Sequence, residues 1–384
     1  MKEITNNIIY IGVNDKTLDL FENQYRLQNG ITYNSYIIKD EKIVIMDTVD
    51  KRKSDEWLEK LESELQDREP DYLVVSHLEP DHAYNIEVLA RRYPSMKIVG
   101  NLRTFNFIPQ FFNIPNLEER KVEVKEGDTL NVGKHTLQFF MAPMVHWPEV
   151  MVTYEQTEKI LFSADAFGKF GTLDVEEEWL KEARRYYINI VGKYGIQVQT
   201  LLKKLASLEV NIICPLHGPI LTENLEYYIQ KYNMWSSYEP EEKGILLAVA
   251  SIHGNTYEAA KNLQKMLKGE KVELIDITRA DVAQAVAEAF KYNKLIVAAS
   301  SYDSGLFPPM ENFLKRLKSK NYQNRIVGIV ENGTWAPSAG KVMKEIFEQM
   351  KNIDICEQSV TIKSRLDEES KQQLEEIAKE ILKK

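Results

Sequence analysis

Beyond residue 244 the chain alternates strand-sized apolar runs with helical stretches so regularly that few architectures are open to it. Runs at Ile245–Ala250, Lys271–Ile277, Lys294–Ala299, Arg325–Val330 and Asp354–Ile362 are each followed by helical spacing, over Thr256–Leu267, Asp281–Phe290, Pro309–Leu317, Ala336–Met350 and a final helix. Tight turns cannot join parallel strands, whereas a crossover helix can. Five strands with five helices therefore predict a doubly wound, five-stranded parallel sheet. In the last helix Leu374, Ile377, Ala378, Ile381 and Leu382 fall on one face, with acids in the first turn and two lysines at the end. Both features suit a helix laid on a sheet. Ligands of such sheets bind at the carboxyl ends of the strands, so the loops there are the place to look.

The earlier residues have a different rhythm. Candidate strands at Lys42–Asp47, Tyr72–Ser76, Lys97–Val99, Thr136–Met141, Met151–Tyr154, Lys159–Ser163 and Asn211–Cys214 are broken by turns and a few helices. One helix is plain: Ser54 is its expected cap, and Trp57, Leu58, Leu61 and Leu65 form its apolar stripe. This pattern predicts a layered α/β body with mixed sheets. The polar segment Ser236–Gly244, with one Pro and one Gly, reads as a linker. Two domains follow, 1–240 and 241–384.

Composition narrows the function. With 43% apolar and 28% charged residues and a net charge of −9, the chain is neither disordered, collagen-like nor a membrane protein. No apolar run approaches the roughly 18 residues a membrane helix needs. The first residues, Met1-Lys2-Glu3-Ile4-Thr5-Asn6-Asn7, lack a signal peptide's apolar stretch. An acidic surface repels phosphates, so neither nucleic acid nor membrane is an expected partner. Cys214 and Cys356 lie far apart and read as small buried hydrophobes. Two such cysteines exclude a disulfide scaffold, a Cys-ligated iron–sulfur cluster and a rubredoxin-type iron site here, and suit a reducing cytoplasm. Lys315, Arg316 and Lys318 read as a solvated helix face.

The densest chemistry follows strand Tyr72–Ser76. His77-Leu78-Glu79-Pro80-Asp81-His82 places four potential metal ligands in six residues. Pro80 cannot continue a ladder and stiffens the loop. Further ligand types stand at later strand ends: His146 in Pro143-Met144-Val145-His146-Trp147-Pro148, Asp165 in Ser163-Ala164-Asp165, and His217 in Cys214-Pro215-Leu216-His217-Gly218-Pro219. Three histidines and three carboxylates can hold two metal ions, with one carboxylate, most simply Asp165, between them. Trp147 reads as a packing residue beside a ligand, His135 as a surface or capping residue, and Tyr25 as a residue that can line the pocket.

This spacing resembles the metallo-β-lactamase superfamily, whose His-x-His-x-Asp-His signature is followed by a His, an Asp and a His at later strand ends. Here Glu79 stands at the second histidine. Zinc hydrolases favour imidazoles around the ion that activates water, whereas an added carboxylate oxygen suits iron cycling between ferrous and ferric states. The departure argues against hydrolysis and for redox chemistry. His82 ligates the second metal in the hydrolases but generally not in di-iron relatives, so its role stays open between ligand and supporting residue.

A second constellation opens the C-terminal half. Strand Ile245–Ala250 ends in Ser251-Ile252-His253-Gly254-Asn255-Thr256, where hydroxyls and backbone N–H groups at a helix start form an anion cradle. No lysine follows as in a nucleoside triphosphate loop. The segment resembles the Ser/Thr-x-x-Gly-x-Thr loop with which flavodoxins bind the FMN phosphate. Ser300-Ser301-Tyr302-Asp303-Ser304-Gly305 and Glu331-Asn332-Gly333-Thr334-Trp335-Ala336 fall where the flavin ring would lie. Tyr302 and Trp335 would offer aromatic faces, and Asn332 and Gly333 N–H groups for the ring edge; His253 can approach the flavin or face solvent.

A carboxylate-modified lactamase-like αββα sandwich followed by a flavodoxin-like domain resembles the flavodiiron proteins over essentially the whole chain. The resemblance implies FMN, two iron ions per chain, and reduction of dioxygen to water, nitric oxide to nitrous oxide, or both. It implies that His77, Glu79 and His146 hold one iron and Asp81 and His217 the other, with Asp165 bridging. It further implies a head-to-tail homodimer or dimer of dimers, and a minimal form drawing electrons from an external donor such as rubredoxin. A zinc-dependent hydrolase of the lactamase superfamily with a flavodoxin-like accessory domain is the alternative.

Overall fold

The computed structural model describes residues 2–384. The chain forms two compact units, one taking the residues through Tyr187 together with Ile196–Asn233, the other Ile188–Gly195 and Met234–Lys384.

The first unit is built on two facing sheets. One has seven strands in the order Lys2–Glu3, Ile8–Tyr10, Tyr36–Lys39, Ile43–Met46, Tyr72–Val74, Lys97–Gly100 and Lys121–Glu123. It is antiparallel up to Ile43–Met46 and parallel beyond. The other has five strands, Thr129–Asn131, Thr136–Met141, Met151–Glu155, Ile160–Phe162 and Ile212–Cys214, of which only the last pair is parallel. Alternate side chains point between the sheets: Tyr36, Ile38, Val44, Met46, Val74 and Val99 share one core with Leu137, Phe139, Met151, Ile160, Phe162 and Cys214. Each such apolar side chain contributes on the order of 1.5–3 kcal/mol by leaving water. Because Ile160–Phe162 and Ile212–Cys214 run parallel, the loops after them open at the same end. Those loops carry Asp165 and His217.

In the second unit the five main strands are all parallel, in the order Val272–Asp276, Glu242–Ala250, Tyr292–Tyr302, Arg325–Asn332 and Ile353–Ile362. This is the doubly wound arrangement expected. Its order reverses beside Glu242–Ala250, and a crevice forms outside the strand ends at such a point.

Several local expectations need correction. Ser54 does not cap its helix but begins it; Ser54–Leu65 is preceded by a 3₁₀ turn, Lys51–Lys53, whose cap Asp50 accepts from the Arg52 N–H. Leu382 stays 38% exposed while Leu374, Ile377, Ala378 and Ile381 are buried. The fourth helix of the C-terminal series starts at Ala339 rather than Ala336, because Ser301 Oγ caps it by accepting from the N–H groups of Ser338 and Ala339. The linker is shorter than read: Ser236 ends helix Leu225–Ser236, and the next strand already begins at Glu242. Lys315, Arg316 and Lys318 lie on helix Pro308–Ser319, with Lys315 paired to Glu311 on the same helix. Among the described residues no helix is long and apolar enough to cross a membrane.

Candidate functional site

His77 follows strand Tyr72–Val74, and the residues after it form a single helical turn, Pro80–Ala83, rather than an open loop. Pro80 suits the first position of such a turn, where a missing N–H costs nothing. The turn presents Asp81 and His82 inward, and Glu79 stands just before it. His146 lies between Thr136–Met141 and Met151–Glu155, Asp165 after Ile160–Phe162, and His217 after Ile212–Cys214. The backbone is left-handed at Met144 (φ 66°) and Ala164 (φ 50°), strained conformations of the kind that cluster at functional sites. The loops are tied together: the Leu216 N–H donates to Ala164 O, and the Met151 N–H donates to Ser76 O.

All six expected ligands meet, in two adjoining groups. In the first, His146 Nε2 lies 3.1 Å from Glu79 Oε2 and 3.3 Å from Asp165 Oδ2, and His77 Nε2 lies 3.3 and 3.4 Å from the same two oxygens. In the second, Asp81 Oδ2 lies 3.3 Å from both His82 Nε2 and His217 Nε2. Asp165 Oδ1 faces this second group, 3.4 Å from His82 and 3.8 Å from His217. One carboxylate thus turns an oxygen to each side. His82, left open by the sequence, is brought into the second group, its Nε2 only 3.0 Å from that of His217.

These residues fit metal ions. Both oxygens of Asp81, both of Asp165 and His146 Nε2 are buried without a hydrogen-bond partner. Buried polar atoms in that number are costly unless something charged sits among them. Two imidazole nitrogens facing each other at 3.0 Å likewise need a cation or a proton between them.

A layer of partners holds the rings. His77 Nδ1 pairs with Glu149 Oε1 at 2.8 Å, and His217 Nδ1 with Thr32 O at 2.6 Å. Phe21, Tyr33 and Tyr186 pack around the His217 ring. Trp147 sets its ring edge-on to His77 at 5.1 Å, the packing role expected of it. Tyr25 packs against Phe170, which in turn meets Phe21, and so stands behind the residues touching His217. His135 takes no part, and it is not a surface residue: it is 1% exposed and paired to Asp40 at 2.6 Å.

In the second unit a pocket of about 500 Å³ opens at the strand ends. Ser251, His253, Asn255, Thr256, Ser301, Tyr302, Asp303, Asn332, Gly333 and Trp335 all line it, as do Ser300, Thr334 and Ser364. Gly254 and Gly305 do not. Gly254 stands at the start of helix Asn255–Met266 with φ 97°, and its N–H donates to Ser251 Oγ. Gly305 belongs to a short hairpin with Tyr302. The N–H groups of the first helical turn have no acceptor within the helix, which leaves them for an anion. Two expected donors are otherwise engaged: the Gly333 N–H is bonded to Ile362 O, and the Asn332 side-chain amide to Ser364 O. Trp335, 92% exposed, is free to cover a flat ring.

Comparisons with known proteins agree with both halves. A model of the ODP family beta lactamase matches residues 31–218, and a flavodoxin domain model matches residues 246–381. An anaerobic nitric oxide reductase flavorubredoxin of Aliivibrio salmonicida is 28% identical over 86% of this chain and 69% of its own. The structure of rubredoxin oxygen:oxidoreductase from the anaerobe Desulfovibrio gigas matches with a TM-score of 0.92 at 26% identity, covering 100% of this chain and 98% of that one. That of the flavodiiron protein from Giardia intestinalis shares the fold, with a TM-score of 0.88 at 21% identity over 100% and 97% of the two chains. The chain combines an ODP-type lactamase domain with a flavodoxin domain and is similar over most of its length to flavorubredoxin and flavodiiron proteins.

These relatives support the chemical class, oxidoreduction, and direct attention to charge. Without metal, the centre balances its carboxylates with protons. Burial works against the charged form of His146, but the Asp165 and Glu79 carboxylates beside it hold its pKa up, at about 9. His77 is likewise raised despite burial, chiefly by the charge of Asp165. Burial pushes the Asp81 carboxyl up to about 7, with Glu79 and Asp165 adding repulsion against the pull of His82. Asp165 and Glu79 go the other way: burial opposes their ionisation, but the surrounding imidazoles hold both below the usual carboxylate range.

The partners Glu149, Thr32 and Ser364 were not found by sequence reasoning. None belongs to a motif with its partner: Glu149 is 72 residues from His77, and Thr32 is 185 from His217. The one sequence signal was an acid three positions after a candidate ligand, in His146-Trp147-Pro148-Glu149.

Proposed function

We propose that this protein reduces dioxygen to water, nitric oxide to nitrous oxide, or both, at two irons held around Asp165, with electrons passed through FMN from an external donor such as rubredoxin. The observation that supports this most directly is the pair of Asp165 oxygens turned to opposite ligand groups, beside a carboxylate, Glu79, where zinc hydrolases place an imidazole. In this reading residues 1–240 carry the metals and 241–384 the flavin. His77, Glu79 and His146 hold one iron, Asp81, His82 and His217 the other, and Asp165 lies between. When bound, the irons supply adjacent binding positions and electrons for a small gas, and FMN stores electrons that arrive singly.

The chain's own residues set the frame. Hydrogen bonds from His77 to Glu149 and from His217 to Thr32 fix the tautomers, so that each Nε2 faces the centre. Trp147, edge-on to both His77 and His146, keeps that side of the centre apolar. In the flavin half, Ser251, Asn255 and Thr256 line the phosphate turn, with Gly254 at its bend outside the pocket lining, Ser301 and Asp303 line the walls, and Tyr302 and Trp335 offer aromatic faces. The active form is a head-to-tail homodimer, or a dimer of such dimers, in the cytoplasm, which sets the flavin of one copy beside the metals of the other.

The test is consumption of dioxygen and of nitric oxide by anaerobically reduced protein, run in parallel. The expected result is turnover with at least one gas, lost in His146→Asn while the yellow FMN chromophore remains. Two zinc ions per chain, hydrolytic turnover and no gas uptake would instead support the hydrolase.

A further inference from the structure

Glu149 is fully buried beside the metal centre yet contributes no oxygen to either ligand group. Its Oε1 accepts from His77 Nδ1 at 2.8 Å and from the Leu78 N–H at 3.0 Å, while Oε2 has no hydrogen-bond partner. Its backbone is held on both sides. Asn101 Nδ2 donates to Glu149 O at 2.6 Å, and the same Asn101 caps helix Leu102–Phe111 through its Oδ1. Two residues on, the Met151 N–H donates to Ser76 O, next to His77. A carboxylate taken out of water with one oxygen unpartnered is expensive. The ring it is hydrogen-bonded to is that of His77.

The histidines of the second group are supported differently. His217 Nδ1 leans on a neutral backbone carbonyl, Thr32 O, and His82 Nδ1 is buried with no partner at all. An imidazole hydrogen-bonded to an anion is a stronger and better-oriented donor than one bonded to a carbonyl, and far better oriented than one bonded to nothing. The two metal positions are therefore unlike, although each is built from histidine and carboxylate.

We infer that Glu149 is a positioning residue for His77, and that it makes the His77–Glu79–His146 position the tighter of the two metal sites. This rests on the two-metal reading above.

The test uses the full chain stripped of metal and titrated anaerobically with Co(II) against a competing chelator, read by cobalt absorption. Wild-type protein takes up two equivalents of unequal affinity. Glu149→Gln keeps an acceptor oxygen for His77 but removes the charge, and it weakens the tight equivalent about 10- to 100-fold while leaving the weaker one in place. Glu149→Leu removes acceptor and charge together and loses the tight equivalent. Glu149→Asp retains the charge but withdraws it by one methylene; it weakens the same equivalent, and serves if the glutamine variant does not fold. Unchanged affinities in Glu149→Gln, or an equal weakening of both equivalents, overturn the inference. A wild-type protein that takes up no pair of cobalt ions overturns the two-metal reading itself, and is told apart because it precedes any variant.

Discussion

Asp165 Oδ1 lies 3.4 Å from His82 Nε2, while the other oxygen of the same carboxylate faces His146. Asp165 therefore belongs to both ligand groups and His82 to one. Asp165→Ala is expected to lose metal from both positions, and His82→Asn from one. Elemental analysis of the purified variants decides it: two metals retained in Asp165→Ala, or the same loss in both variants, contradicts this division.

Metal removal should make stability pH-dependent in a defined direction. In the metal-free centre the His146 pKa is raised to about 9, above its unfolded value of roughly 6.5. A group raised in this way favours the folded state fully below the unfolded value and loses that effect as pH climbs through the folded one. Asp81, raised to about 7, adds loss in the same direction as pH rises from the ordinary carboxylate range. Metal replaces these protons, so the loaded protein is spared the loss. The gap in Tm between loaded and metal-free protein is expected to widen from pH 6 to pH 9; a gap that narrows or stays constant counts against the charge balance described.

Two of the glycines expected in the flavin half, Gly254 and Gly305, should respond unequally to an added methyl group. At Gly254 nothing lies within 4 Å of a built Cβ, but φ is 97°. Holding alanine there costs about 1–2 kcal/mol, the penalty of a left-handed conformation. Gly305 has no positive φ and meets only ordinary contacts, the nearest at 3.6 Å. Gly254→Ala is expected to lower both stability and FMN retention, and Gly305→Ala to change stability by less than about 0.5 kcal/mol. Denaturant titration with flavin fluorescence as the probe compares them; equal damage from both substitutions would show that conformation is not what selects glycine at residue 254.

What could be read in the sequence follows from how local each signal is. The five parallel strands and the meeting of the six candidate side chains were legible because each strand or loop announces itself within a few residues: an apolar run, then a turn carrying His, Asp or Glu. Glu149 and Thr32 were not, because their roles are created only when distant strand ends are brought together by pairing. Gly333 shows the converse. Its place in the pocket wall was legible, but the bond from its N–H to Ile362 O depends on the register of a neighbouring strand. Ser54 was misread because a 3₁₀ turn with its own cap, Asp50, runs directly into the helix.

His135 was misread for the same reason, and its correction carries a prediction. Nothing in the sequence around it suggests burial, yet Asp40, 95 residues earlier, accepts from both its ring Nδ1 (2.6 Å) and its backbone N–H (2.8 Å). The pair joins the turn after Tyr36–Lys39 in one sheet to the turn before Thr136–Met141 in the other. Burial alone would raise the Asp40 pKa, but the bonds from His135 and Glu41 hold it below the usual range. A carboxylate lowered in this way adds stability above its unfolded pKa and gives it up as pH falls through the folded one. His135→Leu leaves that buried carboxylate short of its main partner, at a cost of about 1–3 kcal/mol. The variant is expected to unfold at lower denaturant concentration and at higher pH on the acid side, with metal and flavin content unchanged. Loss of metal at full stability would instead place His135 in the metal centre's support, against the geometry described here.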